Sequence, residues 1–465
     1  MPQGDIDPLL TNAWSRRGTL RLNAWHDGDT FAAQRTGYET YAPLTLPSNK
    51  DWQHPDVGWG LVLPDAPGLD RDALERAEDA PEPIRSLLTA RATRNTVAGG
   101  LAPVLRYDAS LPAGKFRRYD PGVRPQTLDA SAHGYGTGLG CIPRYLLIYG
   151  SPEVIPWHVQ YNLSINRHVG RLDLTDPEGL GTYIEALLAG WPMAPANPAR
   201  PLIWSARSSG DVMGALMQRA VGDRLDAVLG DDKDIEMHRY LNGEAAVGEA
   251  LIKELGDLSP GLVVTTSHGN IDVHPEGLGL ETLGSLIGSD NELAATADIV
   301  AAAPAGVIWY AHACASAGSD RPSTFSQLFE GDQAGGADLA ALADHAGARV
   351  APLPRALLGR KDPIRAFVGH VEPTFAWTLG DPDRMTVLPS TVVACLYTRL
   401  YQPGPPAPLG WALEDLHREG ASFLAGRQDA THRSLGPPLY RKLAGHDRLS
   451  TVIIGDPVVA LPKVV

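Results

Sequence analysis

The sequence predicts an α/β protein built on a mostly parallel sheet. From residue 144 onward, short apolar runs typical of buried strands alternate with longer segments of helical period. Two of these runs, residues 262–267 and 307–311, end close to His268 and Cys314. Alternating strands and helices are typical of a parallel sheet that is covered by helices on both faces.

The predicted elements follow one another in a regular order. Strands are predicted at 145–149, 202–206, 235–240, 262–267, 307–311, 365–371 and 450–454. Helices are predicted at 71–91, 179–188, 212–229, 244–255, 293–302, 390–401 and 411–426. The proline-rich segment 191–201 reads as a linker. We therefore expect an N-terminal region of unknown fold (1–130), a smaller α/β subdomain (131–195) and a larger α/β domain (200–465).

Composition limits the function classes. The 465 residues include 54 acidic and 40 basic side chains, a formal net charge of −14, which argues against direct binding to nucleic acid. Three cysteines do not make a disulfide framework. The first residues have no basic, apolar leader, and no run of about 18 apolar residues occurs in the chain. We expect a cytoplasmic protein with no membrane association.

Cys314 is the candidate nucleophile, because it follows an apolar run and is itself followed by small residues. A thiol attacks as the thiolate and needs a base nearby. His268 ends the preceding predicted strand, and the carboxyl ends of neighbouring parallel strands meet at one rim of a sheet. His312 is a second candidate base, since on an extended strand it points to the same side as Cys314.

Gly269 is a candidate for stabilising negative charge. Without a side chain, its backbone N–H can approach a carbonyl oxygen closely. Together with the amide of Cys314 it would form an oxyanion hole, in which each donor stabilises developing charge by about 3–4 kcal/mol.

Metal and nucleotide chemistry find little support in the sequence. His268, His274, His312 and Cys314 lack the spacing of a zinc site. The glycine-rich run 134–140 precedes a strand and does not open a helix, so it does not fit a dinucleotide-binding loop. We expect no metal and no cofactor.

Apolar strands that end in His-Gly and in Ala-Cys resemble the caspase-like cysteine peptidase clan, in particular its gingipain and bacterial CHAT branch. Residues 145–156, which include Gly150 and Glu153 before Ile-Pro, and the later Gly170-Arg171 are similar to a gingipain pattern. The ending 452–462 is similar to the close of that domain. The resemblance spans about residues 140 to 465. It implies a caspase-like αβα sandwich preceded by the smaller α/β subdomain.

The resemblance also implies roles for single residues. In that clan the base lies on the preceding strand, which favours His268 over His312. Glu153 matches the gingipain acidic position that would orient the imidazole, and Asp173 is the alternative. The gingipain pocket carboxylate has no counterpart in residues 160–164. The pocket candidates that remain are Asp320, Glu372 and Trp377.

Together with the resemblance, these residues predict an intracellular cysteine endopeptidase that cleaves a specific protein partner. The resemblance implies a role in bacterial defence, with a gasdermin-like pore-forming protein as a possible substrate. One alternative is a catalytically idle scaffold that binds a peptide in the same groove. The other is a thiol acyltransferase, in which an amine and not water accepts the acyl group.

Overall fold

The computed structural model describes residues 47–66, 68–92, 101–272, 279–325, 328, 336–375, 379–381, 386–387, 391–425 and 438–463. The strands are β1 Trp59–Pro64, β2 Val104–Tyr107, β3 Lys115–Arg118, β4 Gln126–Asp129, β5 Tyr145–Tyr149, β6 His168–Leu172, β7 Leu202–Ala206, β8 Arg239–Gly243, β9 Leu262–Thr266, β10 Ile308–His312, β11 Gly318–Ser319, β12 Arg349–Val350, β13 Ala366–His370, β14 Gly380–Asp381, β15 Thr386–Val387 and β16 Thr451–Gly455.

Helices connect most of these strands. They are α1 Arg71–Glu75, α2 Glu82–Ala90, α3 Trp157–Ser164, α4 Pro177–Ala189, α5 Val212–Met217, α6 Asp223–Asp231, α7 Gly248–Leu258, α8 Thr296–Ala302, α9 Gly336–Ala346, α10 Pro352–Gly359, α11 Thr391–Val393, α12 Leu409–Ala412, α13 Glu414–Leu424 and α14 Pro438–Leu449. Single π-helical segments, Gln218–Gly222 and Ala394–Arg399, follow α5 and α11.

Twelve of the strands in the described residues form one sheet, in the order β4-β3-β2-β1-β5-β6-β16-β13-β10-β9-β7-β8. Eight of the eleven neighbouring pairs in this order are parallel. Three are antiparallel, β2 with β3, β3 with β4 and β13 with β16. The predicted α/β fold with a mostly parallel sheet is confirmed.

The sheet reverses direction at β16. This strand runs parallel to β6 but antiparallel to β13. The strands β1, β2, β5 and β6 therefore point the opposite way from β7 to β10 and β13. The carboxyl ends of β5 and β6 lie at one rim of the sheet, where strands begin or end. Those of β9 and β10 lie at the opposite rim.

Both faces of the sheet are buried. In β5, Leu147 belongs to one apolar cluster, whereas its neighbours Leu146 and Ile148 belong to another. Successive side chains of a strand point to opposite faces, so each face packs against its own layer. None of the helices in the described residues combines the length and apolar character needed to cross a membrane.

Several predicted elements differ from the observed ones at their ends. The predicted helix 71–91 is two helices: α1 ends at Glu75, Ala77 has φ +52°, and α2 begins after Pro81. The predicted strand 235–240 lies at 239–243 as β8. All the elements belong to one compact unit, Ser48–Val465, and β1 to β4 share the sheet of β5. The boundaries at 130 and 200 stay a prediction.

Candidate active site

The register of β9 and β10 brings His268 and Cys314 to the same edge of the sheet. The two strands are parallel, and Thr266 pairs with His312 at their carboxyl ends. His268 lies two residues after Thr266, and Cys314 lies two residues after His312. The backbone N–H of Ser267 also donates to the carbonyl of His312, at 3.2 Å. The imidazole and the thiol thus occupy equivalent positions after neighbouring strands.

The segment after His268 is fixed by its backbone. The N–H of Ile287 donates to the carbonyl of His268 at 3.1 Å, and the N–H of Asn270 donates to that of Ser285 at 2.8 Å. Between them, Gly269 lies against the nucleophile: a Cβ added to it would be 2.0 Å from the carbonyl oxygen of Cys314. Only glycine allows the two backbones to approach this closely.

The chain turns sharply after Cys314. Ala315 has φ +52°, a left-handed conformation that costs a non-glycine residue about 1–2 kcal/mol. Its N–H donates to the carbonyl of Glu372 at 2.9 Å, and Gly318 donates to its carbonyl at 3.0 Å. Gly284 makes room for the turn, since a Cβ there would be 2.2 Å from the Ala315 carbonyl. The turn ends β10 and leaves the half-buried thiol beyond the strand.

The environment of Cys314 disfavours the thiolate. Burial raises its pKa, and hydrogen bonds with the backbone of Thr374, Gly269 and Cys314 partly offset this shift. The thiol donates to the carbonyl of Thr374 at 3.6 Å. The backbone groups of Gly269 and Cys314, the predicted oxyanion donors, lie within hydrogen-bonding reach of the sulfur. A thiol with a raised pKa needs a base before it can attack.

His268 contacts a carboxylate that the sequence analysis did not identify. Its Nε2 lies 3.0 Å from Oδ2 of Asp211. The imidazole is 49% exposed and the carboxylate 11%. Asp211 also caps α5, because its Oδ1 accepts from the N–H of Gly214 at 3.0 Å. Aspartate is common at helix N-caps, so nothing in the sequence alone distinguished this one.

Glu153 and Asp173, the sequence candidates for orienting the imidazole, follow β5 and β6. The reversal at β16 puts the carboxyl ends of those strands at the edge opposite His268. Asp173 is buried there and forms an ion pair with Arg355 of α10. Glu153 is exposed in the turn before α3.

His312, the rival base, lies in a buried polar cluster. Its Nδ1 is 3.1 Å from the hydroxyl of Tyr310 and 3.1 Å from Nε2 of His370. Nδ1 of His370 is 3.7 Å from Oδ1 of Asp447, and both of these side chains are fully buried. Burial lowers the pKa of His312 to about 4 and raises that of Asp447 to about 7. Burial therefore disfavours the charged form of each of these side chains.

Asp320 and Glu372, two of the pocket candidates, are buried near each other. Burial raises the pKa of Asp320 to about 6. Burial, with the charge of Asp320 as a smaller cause, raises that of Glu372 to about 8. The carboxylate of Glu372 accepts from the N–H of Thr324 at 3.2 Å, and its backbone holds Ala315. Trp377, the third pocket candidate, lies outside the described residues.

Two solved structures are similar to part of this chain. One is a crystal structure of the Arg-specific cysteine proteinase gingipain R, and the other is a complex of RgpB pro- and mature domains from Porphyromonas gingivalis. Each is 12% identical to this chain, with a TM-score of 0.37. The alignments cover 69% of this chain and 65% and 66% of those chains, respectively. No protein-family model and no curated protein matches the chain.

Proposed function

We propose that this chain is a cysteine endopeptidase, with Cys314 as the nucleophile and His268 as the general base. The observation that carries the proposal is the register of β9 and β10, which puts the imidazole and the thiol after neighbouring strands at one rim. Rims of this kind are where α/β proteins bind their ligands. Gly269 packs on the backbone of Cys314. Its backbone amide is the proposed hydrogen-bond donor to the oxyanion that forms during acyl transfer.

In the proposed mechanism, the first steps use His268, Cys314 and two backbone amides. His268 takes the proton from Sγ as the sulfur attacks the carbonyl carbon of a peptide. The amides of Gly269 and Cys314 donate to the carbonyl oxygen as it becomes negative. The imidazolium then gives its proton to the departing amine, and the C–N bond breaks to leave a thioester on Cys314.

Hydrolysis completes the cycle. His268 takes a proton from water as its oxygen attacks the thioester carbon, the C–S bond breaks to release the acid product, and the imidazolium returns the proton to the Cys314 thiolate. We propose a protein segment as the substrate, cleaved in one or a few partners inside the cell. A role in bacterial defence and a gasdermin-like partner belong to the same proposal and rest on the sequence resemblance alone.

An activity-based probe tests the nucleophile. Acyloxymethyl ketones with varied peptide side chains should form one adduct on Cys314, located by mass spectrometry, with or without a metal chelator. Cys314→Ala should not be labelled. Cys141→Ala is the matched control, because Cys141 is also a half-buried free cysteine and should be dispensable. Labelling that survives Cys314→Ala and disappears with Cys141→Ala would overturn the assignment.

A peptide library tests the reaction. Cleavage in ¹⁸O-labelled water should place the heavy isotope in the new carboxyl termini of the products. Products that instead carry an added amine would identify an acyltransferase. Peptides that bind without cleavage, together with an unreactive Cys314, would identify an idle scaffold.

A further inference from the structure

The strand order lines up three side chains across the rim. In the sheet β10, β9 and β7 are consecutive and parallel, and Ser205 of β7 pairs with Thr266 of β9. Cys314 follows β10, His268 follows β9, and Asp211 follows β7 in the loop that leads into α5. A thiol, an imidazole and a carboxylate therefore come from three neighbouring strand ends.

The contacts of Asp211 hold its two oxygens in different directions. Oδ1 accepts from the N–H of Gly214, and Oδ2 lies 3.0 Å from Nε2 of His268. The cap fixes the carboxylate, because the first turn of α5 leaves that N–H without a helical partner. A fixed carboxylate can orient an imidazole, whereas a mobile side chain would lose conformational entropy on doing so.

Gly214 makes room for this contact. A Cβ at this position would lie 2.3 Å from Oδ2 of Asp211, the oxygen that contacts His268. Glycine lowers helix stability by about 1 kcal/mol relative to alanine. Gly214 therefore makes α5 less stable than alanine would, but it leaves room for the Asp211 carboxylate.

We infer that Asp211 is the positioning residue of the active site, which holds His268 with its proton on Nε2 and its lone pair on Nδ1. The inference rests on the proposed function and extends it from a pair to a triad. With Nε2 engaged by the carboxylate, Nδ1 is the atom that takes the proton from Cys314. The carboxylate also stabilises the imidazolium that forms during the transfer.

Asp211→Asn separates the cap from the orienting role. The amide oxygen still accepts from Gly214, but an N–H group now faces Nε2 and requires it to accept. The proton moves to Nδ1, where it blocks transfer from the thiol. We expect kcat to fall about 10²- to 10⁴-fold with little change in KM and in melting temperature.

The matched control is Asp176→Asn. Asp176 caps α4 in the same way, through a hydrogen bond of 2.7 Å from the N–H of Gly179 to Oδ2. This variant should keep wild-type kcat. A second pair leaves Asp211 itself unchanged: Gly214→Ala should displace the Asp211 carboxylate and lower kcat about 10-fold or more, although alanine by itself favours a helix. Gly181→Ala in α4, where an added Cβ meets nothing within 4 Å, should leave kcat unchanged.

The tautomer gives a readout that does not depend on turnover. In ¹⁵N-labelled protein, the imidazole shifts of His268, assigned by their loss in His268→Ala, should report a proton on Nε2 in wild type and on Nδ1 in Asp211→Asn. An unchanged tautomer with full kcat in Asp211→Asn would overturn the inference and leave the Cys314 and His268 pair standing. An unreactive Cys314 in wild type would instead remove the proposed function, and the tautomer would still decide whether Asp211 positions His268.

Discussion

Two histidine–aspartate pairs lie near Cys314, and they differ in exposure to solvent. The His268–Asp211 pair is in contact at 3.0 Å, with the imidazole about half exposed. The His370–Asp447 pair, at 3.7 Å, is fully buried. Burial lowers the pKa of His370 and raises that of Asp447, so charge on either side chain is disfavoured. An imidazole that must gain and lose a proton in every cycle suits the exposed pair.

The same contrast distinguishes the two candidate bases. His312 is two residues from Cys314 in sequence, but its Nδ1 lies between Tyr310 and His370 in the core. His268 is 46 residues away and reaches the rim through the pairing of β9 with β10. The sheet register therefore favours His268 as the proposed base, although His312 is nearer to Cys314 in the sequence.

Exchange of the two histidines for alanine gives the largest expected effect. His268→Ala should lower kcat/KM about 10²- to 10⁴-fold and leave the melting temperature nearly unchanged, because the side chain is half exposed. His312→Ala should lower the melting temperature and change kcat/KM little. It removes a partner from His370 and Tyr310 in the core, which costs about 1–3 kcal/mol in the free energy of unfolding.

Turnover measurements and thermal melts on both variants check this double dissociation. Cys314→Ala serves as the inactive reference with an intact fold. Near-normal turnover by folded His268→Ala would remove the proposed base. If His312→Ala lost turnover at temperatures where it is still fully folded, the buried cluster would take part in catalysis.

The sequence predicted that His268 and Cys314 lie at one rim of the sheet, but it did not predict that Asp211 contacts His268. The apolar runs of β9 and β10 and the residues that end them were sufficient to predict that an imidazole and a thiol share one edge. Asp211 was missed because an aspartate before a helix most often serves only as a cap. Glu153 and Asp173 matched a local pattern, yet the reversal at β16 depends on pairing between distant strands, which no local pattern reports.

A side chain at Gly269 should disturb the contact between the chain segments that carry His268 and Cys314. In Gly269→Ala the Cβ would collide with the carbonyl of Cys314 and push the two strand ends apart. We expect a fall of about 10²-fold in kcat, comparable to the loss of one oxyanion donor. Gly256→Ala in α7 is the control, since its Cβ meets nothing within 4 Å and should leave kcat as in wild type. Equal activity of the two variants would show that the amide of Gly269 is not a donor.

The buried acids bear on the choice of substrate. Asp320, Glu372 and Asp447 are unfavourable in the ionised form, whereas a bound guanidinium or ammonium group would pair with one of them. We expect a substrate library to show one of two preferences at P1, the residue before the cleaved bond. The preference is either for small or apolar residues or for Arg and Lys. A basic preference should fall at least about 10-fold in Asp320→Asn, Glu372→Gln or Asp447→Asn. A basic preference that survives all three changes, or strict selection of Asp, would place the pocket elsewhere.

The smallest expected effect is on the pH dependence of stability. The pKa of Glu372 rises from 4.5 to about 8 in the folded chain, so between these values the folded state binds more protons than the unfolded state. The free energy of unfolding should therefore decrease as the pH rises from 5 to 8. Glu372→Gln removes the ionisation and should stabilise the chain by on the order of 2 kcal/mol at pH 8, with little change at pH 5.

Denaturation curves at pH 5 and pH 8 measure this difference directly. Asp320 and Asp447, with pKa values raised to about 6 and about 7, should leave a residual decrease of the same sign in Glu372→Gln. Glu153→Gln is the matched control, because Glu153 is exposed and its change should not alter the slope. If Glu372→Gln and Glu153→Gln have the same pH dependence, Glu372 is charged at neutral pH. The buried side of Cys314 would then carry a negative charge that opposes formation of the thiolate, and the contrast between the two sides of the site would be sharper than the structure implies.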